Sequence, residues 1–349
     1  ESPRVLYMWD GDSGMIDKWH KYVQKQLRDN FHTLDKKLVF SNSPIEKTDY
    51  ATKRLPYSLE PSDISAWDEI VGTLYSPEER HKIEWIIGSI VSGDSKKLQK
   101  FLVFYGASGT GKSTIINIIQ KLFDGYWATF NAKALGSSSA NFALESFKNN
   151  PLVAIQHDGD LSKIEDNTRL NSIVSHEPMT VDLKFKSTYT DKFEAMLIMG
   201  TNRPVKITDN KSGIIRRLID VSPSGKTISQ RKYNKLMKQI DFELGGIAQH
   251  CLDVYLEDPS YYDAYIPTSM ISATNDMYNF VQEYYFDFVE TDPMSLNEAW
   301  RLYKTYSSEA NIPYPMMKRV FKEELKEYYE EFLDRSYVNN SNVRNVYTT

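Results

Sequence analysis

The segment Phe101–Thr114 carries the residues with the clearest chemical meaning. Five apolar or aromatic residues, typical of a buried strand, precede a glycine-rich turn, and an apolar run typical of a helix follows it. The spacing G-x-x-x-x-G-K-[ST] is satisfied by Gly106, Gly111, Lys112 and Ser113. Glycines let the backbone turn tightly so that its N–H groups face a phosphate, and the helix N-terminus adds a favourable dipole.

This segment predicts a binding site for the phosphates of ATP. Its residues 106–114 are called the phosphate loop below. Lys112 would reach the β- and γ-phosphates, and the Ser113 hydroxyl would be a ligand of Mg²⁺. The expected phosphate-binding residues are Gly106, Ala107, Ser108, Gly109, Thr110, Gly111, Lys112, Ser113 and Thr114.

Two aspartates, Asp158 and Asp160, follow a second apolar strand predicted over residues 151–155. Acidic groups at the end of a strand beside the phosphate-loop strand can hold Mg²⁺ and polarise the attacking water. Asp158 is the first candidate for both tasks, and Asp160 is the second. The alternative is a strand that ends in an Asp-Gly turn without catalytic work.

Further polar groups follow the next two strands. Asn202 comes after an apolar strand over residues 195–199 and can orient water or sense the γ-phosphate, although a turn also favours Asn. Arg216 and Arg217 precede another short strand. In a phosphate-loop ATPase such a pair suggests an arginine finger that acts in a neighbouring subunit, and a surface ion pair is the alternative.

Lys184, Phe185 and Lys186 lie in the middle of an alternating segment, residues 177–191, that predicts a β-hairpin. Two lysines around an aromatic ring at a protruding turn can contact the backbone and bases of single-stranded DNA. Exposed lysines in an edge hairpin also serve only to keep the sheet edge soluble.

The elements that must position these residues are mainly helices on either side of the predicted strands. Helical periodicity predicts helices over residues 12–31, 64–74, 77–91, 228–256 (one or two helices), 269–290, from 295 on, and 316–329, with a polar extended tail over 336–349.

Composition limits the surface charge, the disulfide content and the cellular compartment that we expect of the chain. A net charge of −5 argues mildly against a generally basic surface and leaves room for a local basic loop. The single cysteine, Cys251, excludes an intrachain disulfide and suits a reducing compartment. Because no apolar run reaches the roughly 18 residues of a membrane span, and no signal peptide is recognisable, we expect a cytoplasmic protein.

The phosphate loop, the acidic strand, the lysine-bearing hairpin, the strand ending at Asn202 and the arginine pair occur in an order that resembles the superfamily 3 helicases, the AAA+ motors of DNA viruses, phages and plasmids. The pattern is most similar to the phage and plasmid primase-helicases related to the poxvirus primase-helicase. The likeness extends over residues 50–290.

The resemblance implies an α/β fold with a P-loop AAA+ ATPase domain over residues 96–290. A helical N-terminal or collar region would occupy residues 1–95. The small C-terminal domain, residues 291–349, resembles a winged-helix domain, and a plain helical packing module is an equal alternative.

The resemblance also implies a hexameric homo-oligomer whose pore hairpins, at Lys184–Lys186, hold single-stranded DNA. The sensor asparagine falls on Asn202, and the arginine finger falls most naturally on Arg217, with Arg216 as the alternate. The family often has two adjacent acids, whereas here Gly159 separates Asp158 from Asp160, so the identity of the catalytic carboxylate stays open. If the parent protein has primase activity, its primase domain would lie upstream of Glu1, and other replication proteins are candidate partners. If the protein is phage-encoded, its compartment would be the cytoplasm of the host cell.

Two functions remain after these steps. The first is an ATP-dependent DNA helicase motor of phage or plasmid replication. The second is a nucleotide-switched origin-binding or loading ATPase that does not unwind processively. A phosphate-loop kinase is disfavoured because no pocket for a phosphate acceptor is recognisable.

Overall fold

The structure, a computed structural model, describes residues 13–29, 37–44, 51–137, 143–147, 150–162, 167–181, 189–206, 213–310, 312, 314–329, 331–338 and 341–348. The described helices are α1 (Ser13–Asp29), α2 (Ser65–Leu74), α3 (Pro77–Ser92), α4 (Lys112–Leu122), α5 (Ala132–Leu135), α6 (Thr168–Val174), α7 (Gln230–Glu257), α8 (Thr268–Ser272), α9 (Asp276–Glu283), α10 (Tyr285–Glu290), α11 (Leu296–Glu309) and α12 (Lys318–Leu325). The described strands are β1 (Phe101–Tyr105), β2 (Trp127–Thr129), β3 (Val153–Gln156), β4 (Pro178–Val181), β5 (Tyr189–Lys192), β6 (Met196–Thr201), β7 (Leu218–Val221), β8 (Met294–Ser295), β9 (Glu331–Val338) and β10 (Ser341–Thr348).

A parallel sheet forms the centre of this mixed α/β fold. Its described strands follow the order β2-β3-β6-β1-β7. Strands β1, β6 and β7 are buried almost throughout, as expected for a sheet that helices cover on both faces. The sequence predicted the acidic strand beside the phosphate-loop strand, and this was wrong, because β6 lies between β1 and β3. The strand that leads into Asn202 is therefore the direct neighbour of the phosphate loop.

The two faces of the sheet pack into separate cores. Leu102 and Phe104 of β1 face a core shared with α2, α3, α4 and α7. Phe101 and Val103 face the opposite core, which includes residues of α6 and α8. This division follows from the alternation of side chains along a strand. Both sides of the sheet are thus fixed, and so are the loops at the carboxyl ends of its strands.

Helices α2 and α3 confirm the predictions for residues 64–74 and 77–91. Helix α3 begins after Ser76, whose side chain accepts a hydrogen bond from the Glu79 N–H, and ends at Gly93 in a left-handed conformation. It crosses α7 closely, since a Cβ atom on Gly88 would lie 2.0 Å from the Cys251 carbonyl oxygen. A glycine is required at this crossing.

The N-terminus of α2 is capped from a distant part of the chain. The buried carboxylate of Glu243, on α7, accepts hydrogen bonds from the backbone N–H groups of Ala66 (3.0 and 3.1 Å) and Trp67 (3.0 Å). The first N–H groups of a helix have no partner within the helix and attract a carboxylate. Glu243 therefore fixes α2, whose last residue, Leu74, contacts the phosphate loop.

The last part of the chain has a core of its own. Residues of α9 and α10, including Phe280 and Phe288, pack with Tyr303, Phe321 and Tyr347. Strands β8, β10 and β9 form an antiparallel sheet in that order. The element order is helical, then β8, then two helices, then two paired strands.

Two details differ from the sequence expectations for this region. The single helix predicted over 269–290 is three helices, because the chain turns at Ala273 and Tyr284. The last two of these helices pack in the core of the last part of the chain. The tail predicted as extended forms the paired strands β9 and β10.

None of the helices in the described residues combines the length and apolar character that a membrane crossing needs.

Candidate functional site

The predicted phosphate loop connects β1 to α4 and contains two glycines in the left-handed conformation. Gly109 has φ 78° and Gly111 has φ 95°. A Cβ atom on Gly111 would also lie 2.7 Å from Cδ1 of Leu74. Gly111 caps α4, so the first residues of this helix, Lys112 and Ser113, follow the tight turn directly.

Lys112 connects the loop to the tip of β6. Its Nζ donates hydrogen bonds to the carbonyl oxygens of Gly106 and Ala107 and to Oδ1 of Asn202, each at 2.7 Å. The side chain is 7% exposed. Burial lowers the pKa of Lys112, and the negative charge of Asp158 acts in the opposite direction. Asn202 and the phosphate-loop lysine, linked only by pattern in the sequence, are thus in direct contact.

The tips of β3 and β6 are held close together by backbone contact. The Gly159 N–H donates to the Gly200 carbonyl oxygen at 2.8 Å. A Cβ atom on Gly159 would lie 2.1 Å from Sδ of Met199, and one on Gly200 would lie 2.5 Å from the His157 carbonyl oxygen. The absence of side chains at these two positions brings the loop after β3 beside the loop after β6.

The two candidate aspartates have different surroundings. Asp158 lines the cavity at the phosphate loop together with Lys112. Asp160 accepts hydrogen bonds from the Ser162 N–H (2.9 Å) and Oγ (2.5 Å), and Nη1 of Arg203 lies 3.2 Å from its carboxylate. These bonds from Ser162, with the charge of Arg203, lower the pKa of Asp160. Asp158 thus faces the cavity, whereas Asp160 is engaged with its own loop.

His157 also lines this cavity. Its Nε2 lies 3.1 Å from Oε1 of Gln120 on α4. Burial lowers the pKa of His157, which favours the neutral ring. The acid position that the resemblance would place next to Asp158 is therefore taken by an uncharged hydrogen-bonding group.

The cavity has a volume of about 430 Å³, within the range typical of small-molecule sites. Part of its lining comes from the phosphate loop and the strand tips, and part from residues that the sequence reasoning did not single out. This second group of lining residues is Leu74, Thr227, Ile228, Gln230 and Tyr233. They belong to no motif, since they come from the end of α2, the segment before α7 and the first turn of α7. Only the assembled fold brings them to the phosphate loop.

The arginine pair is divided between interior and surface. The Arg217 side chain is buried, and its guanidinium donates to Oγ of Ser175 (Nε 3.0 Å, Nη2 2.6 Å) and to the Gly213 carbonyl oxygen (Nη1 2.7 Å). Burial lowers the pKa of Arg217, and the charge of Arg216 acts in the same direction. Arg216 is exposed. The side chain that points outward is the one that the resemblance ranked second.

The hairpin residues Lys184, Phe185 and Lys186 lie outside the described residues. The base of their hairpin is described, and its strands β4 and β5 pair antiparallel from Pro178 opposite Lys192 to Val181 opposite Tyr189.

Comparisons with known proteins support the fold. A family model described as a family of unknown function, DUF5906, matches residues 104–217, the stretch that runs from β1 through the phosphate loop to the arginine pair. Two apo structures of the NrS-1 C-terminal region are similar, each with 14% sequence identity over 89% of this chain. The TM-scores are 0.53 and 0.52, with 84% and 85% of those chains covered. The chain therefore has the mixed α/β fold of the NrS-1 C-terminal region.

Proposed function

We propose that the chain is an ATP-dependent DNA helicase motor, a P-loop AAA+ ATPase of the superfamily 3 type that works as a hexameric ring. One observation carries the proposal. Lys112 bridges the phosphate loop to Asn202 in a cavity that Ser113 and Asp158 also line. This set joins a phosphate-binding cation, a sensor amide and a carboxylate.

Within this proposal the loop from Gly106 to Thr114 holds the phosphates of ATP, and Lys112 exchanges its carbonyl partners for phosphate oxygens. The donor set fits Mg²⁺, because Ser113 and Asp158 offer the hard oxygen ligands this ion prefers. When bound, Mg²⁺ would neutralise charge on the β- and γ-phosphates.

Asp158 and Asn202 are the groups we assign to the attacking water. Asp158 can accept a hydrogen bond from the water and raise its nucleophilicity, while the Asn202 amide can orient it. Asp160 is less suited to this task because Ser162 and Arg203 already occupy its carboxylate.

The second group of lining residues suits the base of the nucleotide. Leu74 and Ile228 provide apolar surface, Tyr233 an aromatic ring, and Thr227 and Gln230 polar edges. A flat aromatic base with polar edges is complementary to this combination.

Arg216 is the residue we assign to the neighbouring subunit's site. It is exposed, whereas the guanidinium of Arg217 is buried against Ser175 and Gly213 of its own chain. An arginine supplied in trans to phosphoryl transfer contributes about 10³–10⁵ in rate. A site completed by a neighbour requires a ring, so assembly and hydrolysis would be linked.

The hairpin on β4 and β5 would carry Lys184, Phe185 and Lys186 into the ring's pore, where they would contact the backbone and bases of single-stranded DNA. Hydrolysis would move the hairpin along the pore and draw one strand through it. Support comes from the described base of the hairpin and from the residue types at its tip.

The second candidate is a nucleotide-switched ATPase that loads at an origin without unwinding. The C-terminal element order favours it, because α9–α10, β8, α11, α12 and the β9–β10 pair follow the arrangement of a winged helix. Such domains can place a helix in the major groove of duplex DNA. A loader would bind duplex through this domain and have no need of the hairpin lysines.

The test is the effect of Lys112→Ala on ATP hydrolysis, with Lys121→Ala as the matched control. Lys121 lies on the same helix but forms a surface ion pair with Asp241. Loss of Lys112 should lower kcat/KM for ATP by about 10²-fold or more, because a cation at the transferring phosphate is removed. Equal rates in the two variants would overturn the ATPase assignment.

The helicase assignment is tested separately with Lys184→Ala combined with Lys186→Ala. Unwinding of a forked duplex and stimulation of hydrolysis by single-stranded DNA should both disappear, while assembly is retained. Unwinding that survives would exclude the hairpin mechanism. Origin binding without any unwinding by the wild-type protein would favour the loader.

A further inference from the structure

Ser175, His176 and Arg217, called the junction below, connect three parts of the molecule. Helix α6 ends at Val174, and β4 begins at Pro178. The Glu177 N–H donates to the Ser172 carbonyl oxygen and the His176 N–H to that of Ile173, both at 3.0 Å. This is the Schellman pattern of a helix end, in which the residue at the position of His176 is usually glycine.

His176 keeps an unusual backbone conformation for a residue with a large side chain. Its φ is 54°, and the side chain is buried. The ring nitrogens face carbonyl oxygens, with Nδ1 2.9 Å from that of Phe193 and Nε2 3.0 Å from that of Leu98. A strained conformation persists where the surrounding structure holds it in place. Here the ring ties the end of β5 and the approach to β1 to the corner between α6 and β4.

Arg217 joins the same corner to the turn that carries Arg216. Two nitrogens of its guanidinium donate to Oγ of Ser175, at 3.0 and 2.6 Å. Its backbone carbonyl accepts from the Phe101 N–H at 2.8 Å, and Nζ of Lys100 holds the Arg216 carbonyl at 2.7 Å. The turn is tight, since a Cβ atom on Gly213 would lie 2.7 Å from Nη1 of Arg217. The backbone of Arg216 is fixed on both sides while its side chain extends outward.

We infer that the junction is a positioning device that couples the arginine turn to the β4–β5 hairpin. A nucleotide that engages Arg216 from the neighbouring subunit acts on this anchored turn. Because the guanidinium of Arg217 bonds the turn to Ser175, the turn and the corner at Ser175 shift together as one unit. Ser175 lies three residues before Pro178, where β4 begins. Arg217 thus acts through Ser175 and does not touch the reacting groups. The inference rests on the proposed function, because it requires a nucleotide at the subunit interface and DNA at the hairpin.

The test measures thermodynamic coupling in the full chain. The Kd for a single-stranded oligonucleotide is determined with and without a non-hydrolysable ATP analogue, and the ratio of the two values is the coupling. We expect a ratio of about fivefold or more for the wild type, the lower range for linked binding sites. Ser175→Ala should bring the ratio to within about twofold of one, with the Kd of each ligand alone unchanged.

Matched variants separate coupling from folding. Ser175→Thr keeps the hydroxyl acceptor and should restore the ratio. Ser89→Ala removes the buried hydroxyl of a serine elsewhere in the chain, whose bond to the Ile86 carbonyl lies within α3, and should leave the ratio as in the wild type. If Ser175→Ala does not fold, Arg217→Lys is the substitute variant. It keeps the charge but not the contact of two nitrogens with Ser175, and its Kd ratio should also lie near one.

The outcomes are distinct. A Kd ratio near one in Ser175→Ala that returns to the wild-type value in Ser175→Thr supports the coupling role of the junction. A wild-type ratio in Ser175→Ala, or in Arg217→Lys, overturns it, as does a wild-type protein that binds both ligands without coupling. A wild-type protein that binds neither ligand contradicts the proposed function instead.

Discussion

At the scale of single residues, Asp158 and Asp160 illustrate how two similar side chains can be separated by their hydrogen bonds. Both follow the same strand, and both are carboxylates near a phosphate loop. Asp160 has its oxygens occupied by Ser162 and Arg203, while Asp158 faces the cavity beside Lys112. A carboxylate that must accept a proton or a metal needs free lone pairs, which favours Asp158.

We predict that Asp158→Asn lowers kcat for ATP hydrolysis by about 10²–10⁴-fold, the usual contribution of a positioned base. Asp160→Asn is the matched control and should stay within about threefold of the wild type, since its role lies in the loop and not in the reaction. Steady-state hydrolysis rates with a nucleotide-binding titration check both. A larger loss in the Asp160 variant would reverse the assignment.

The conformation of the loop from Gly106 to Thr114 could be predicted from sequence because it is local. The strand before it, the left-handed glycines Gly109 and Gly111 and the helix after it are set by adjacent residues. Which of Asp158 and Asp160 has its carboxylate free for the reaction could not be predicted, because this depends on where the fold places Ser162 and Arg203. The choice between Arg216 and Arg217 was equally hidden, since it depends on Ser175, far along the chain.

At the scale of elements, the main error was to place the acidic strand directly beside the phosphate-loop strand. Each strand was recognisable from its apolar run, but β6 lies between β1 and β3. Neighbours in a sheet are set by how helices pack on its faces, and consecutive strands are adjacent only about two-thirds of the time. A sequence pattern with no long-range contact information cannot supply that order.

The buried carboxylate of Glu84 is the centre of an ionic cluster formed by residues of α2, α3 and α7. Its Oε1 accepts from Nε1 of Trp67 and from Nε of Arg80, both at 2.8 Å, and lies 3.1 Å from Nε2 of His250. Burial would raise the pKa of Glu84, but the contacts with His250, Trp67 and Arg80 together lower it. The contact with Glu84 raises the pKa of His250, against the effect of burial.

These shifts predict how stability depends on pH. Because the pKa of His250 is raised, its contribution is complete below its ordinary value of 6.5 and is lost as the pH rises through the folded value. The pKa of Glu84 is lowered, so its contribution is complete above its ordinary value of 4.5 and is lost as the pH falls through the folded value.

We therefore expect the free energy of unfolding to fall between about pH 6 and pH 9, and His250→Gln to remove part of that fall. Urea unfolding midpoints at both pH values provide the measurement. His81→Gln is the control, since this ring contacts the Tyr262 hydroxyl in place of a carboxylate. A pH dependence in His250→Gln that equals that of the wild type would show that the cluster does not titrate as proposed.

At the scale of the whole molecule, each proposed nucleotide site contains residues of two chains. Lys112 and Asp158 would come from one subunit and Arg216 from the next. The exposure of Arg216 and the burial of Arg217 support this division. The hydrolysis rate of a mixture of variant subunits is then not the sum of the rates of the separate variants.

We predict that Arg216→Ala lowers hydrolysis by about 10³-fold or more without preventing assembly. Mixing it with Lys112→Ala subunits should restore part of the activity, because an Arg216→Ala subunit keeps its own phosphate loop and receives an arginine from its neighbour. Each variant alone, at the same total concentration, is the control. Native mass measurement with an ATP analogue and single-stranded DNA reports the ring. A mixture as inactive as its components, or a strictly monomeric chain, would exclude Arg216 as the residue supplied in trans.

The cap that Glu243 provides for α2 also has a consequence for the newly made chain. Ala66 and Glu243 are 177 residues apart, so α2 waits for its carboxylate while the intervening chain is translated. At about 5–20 residues per second this interval is about 9 to 35 s. Leu74, at the end of α2, lines the cavity at the predicted phosphate loop. The ribosome must therefore have released α7 before the cavity is complete, and until then the apolar face of α2 is open to chaperones.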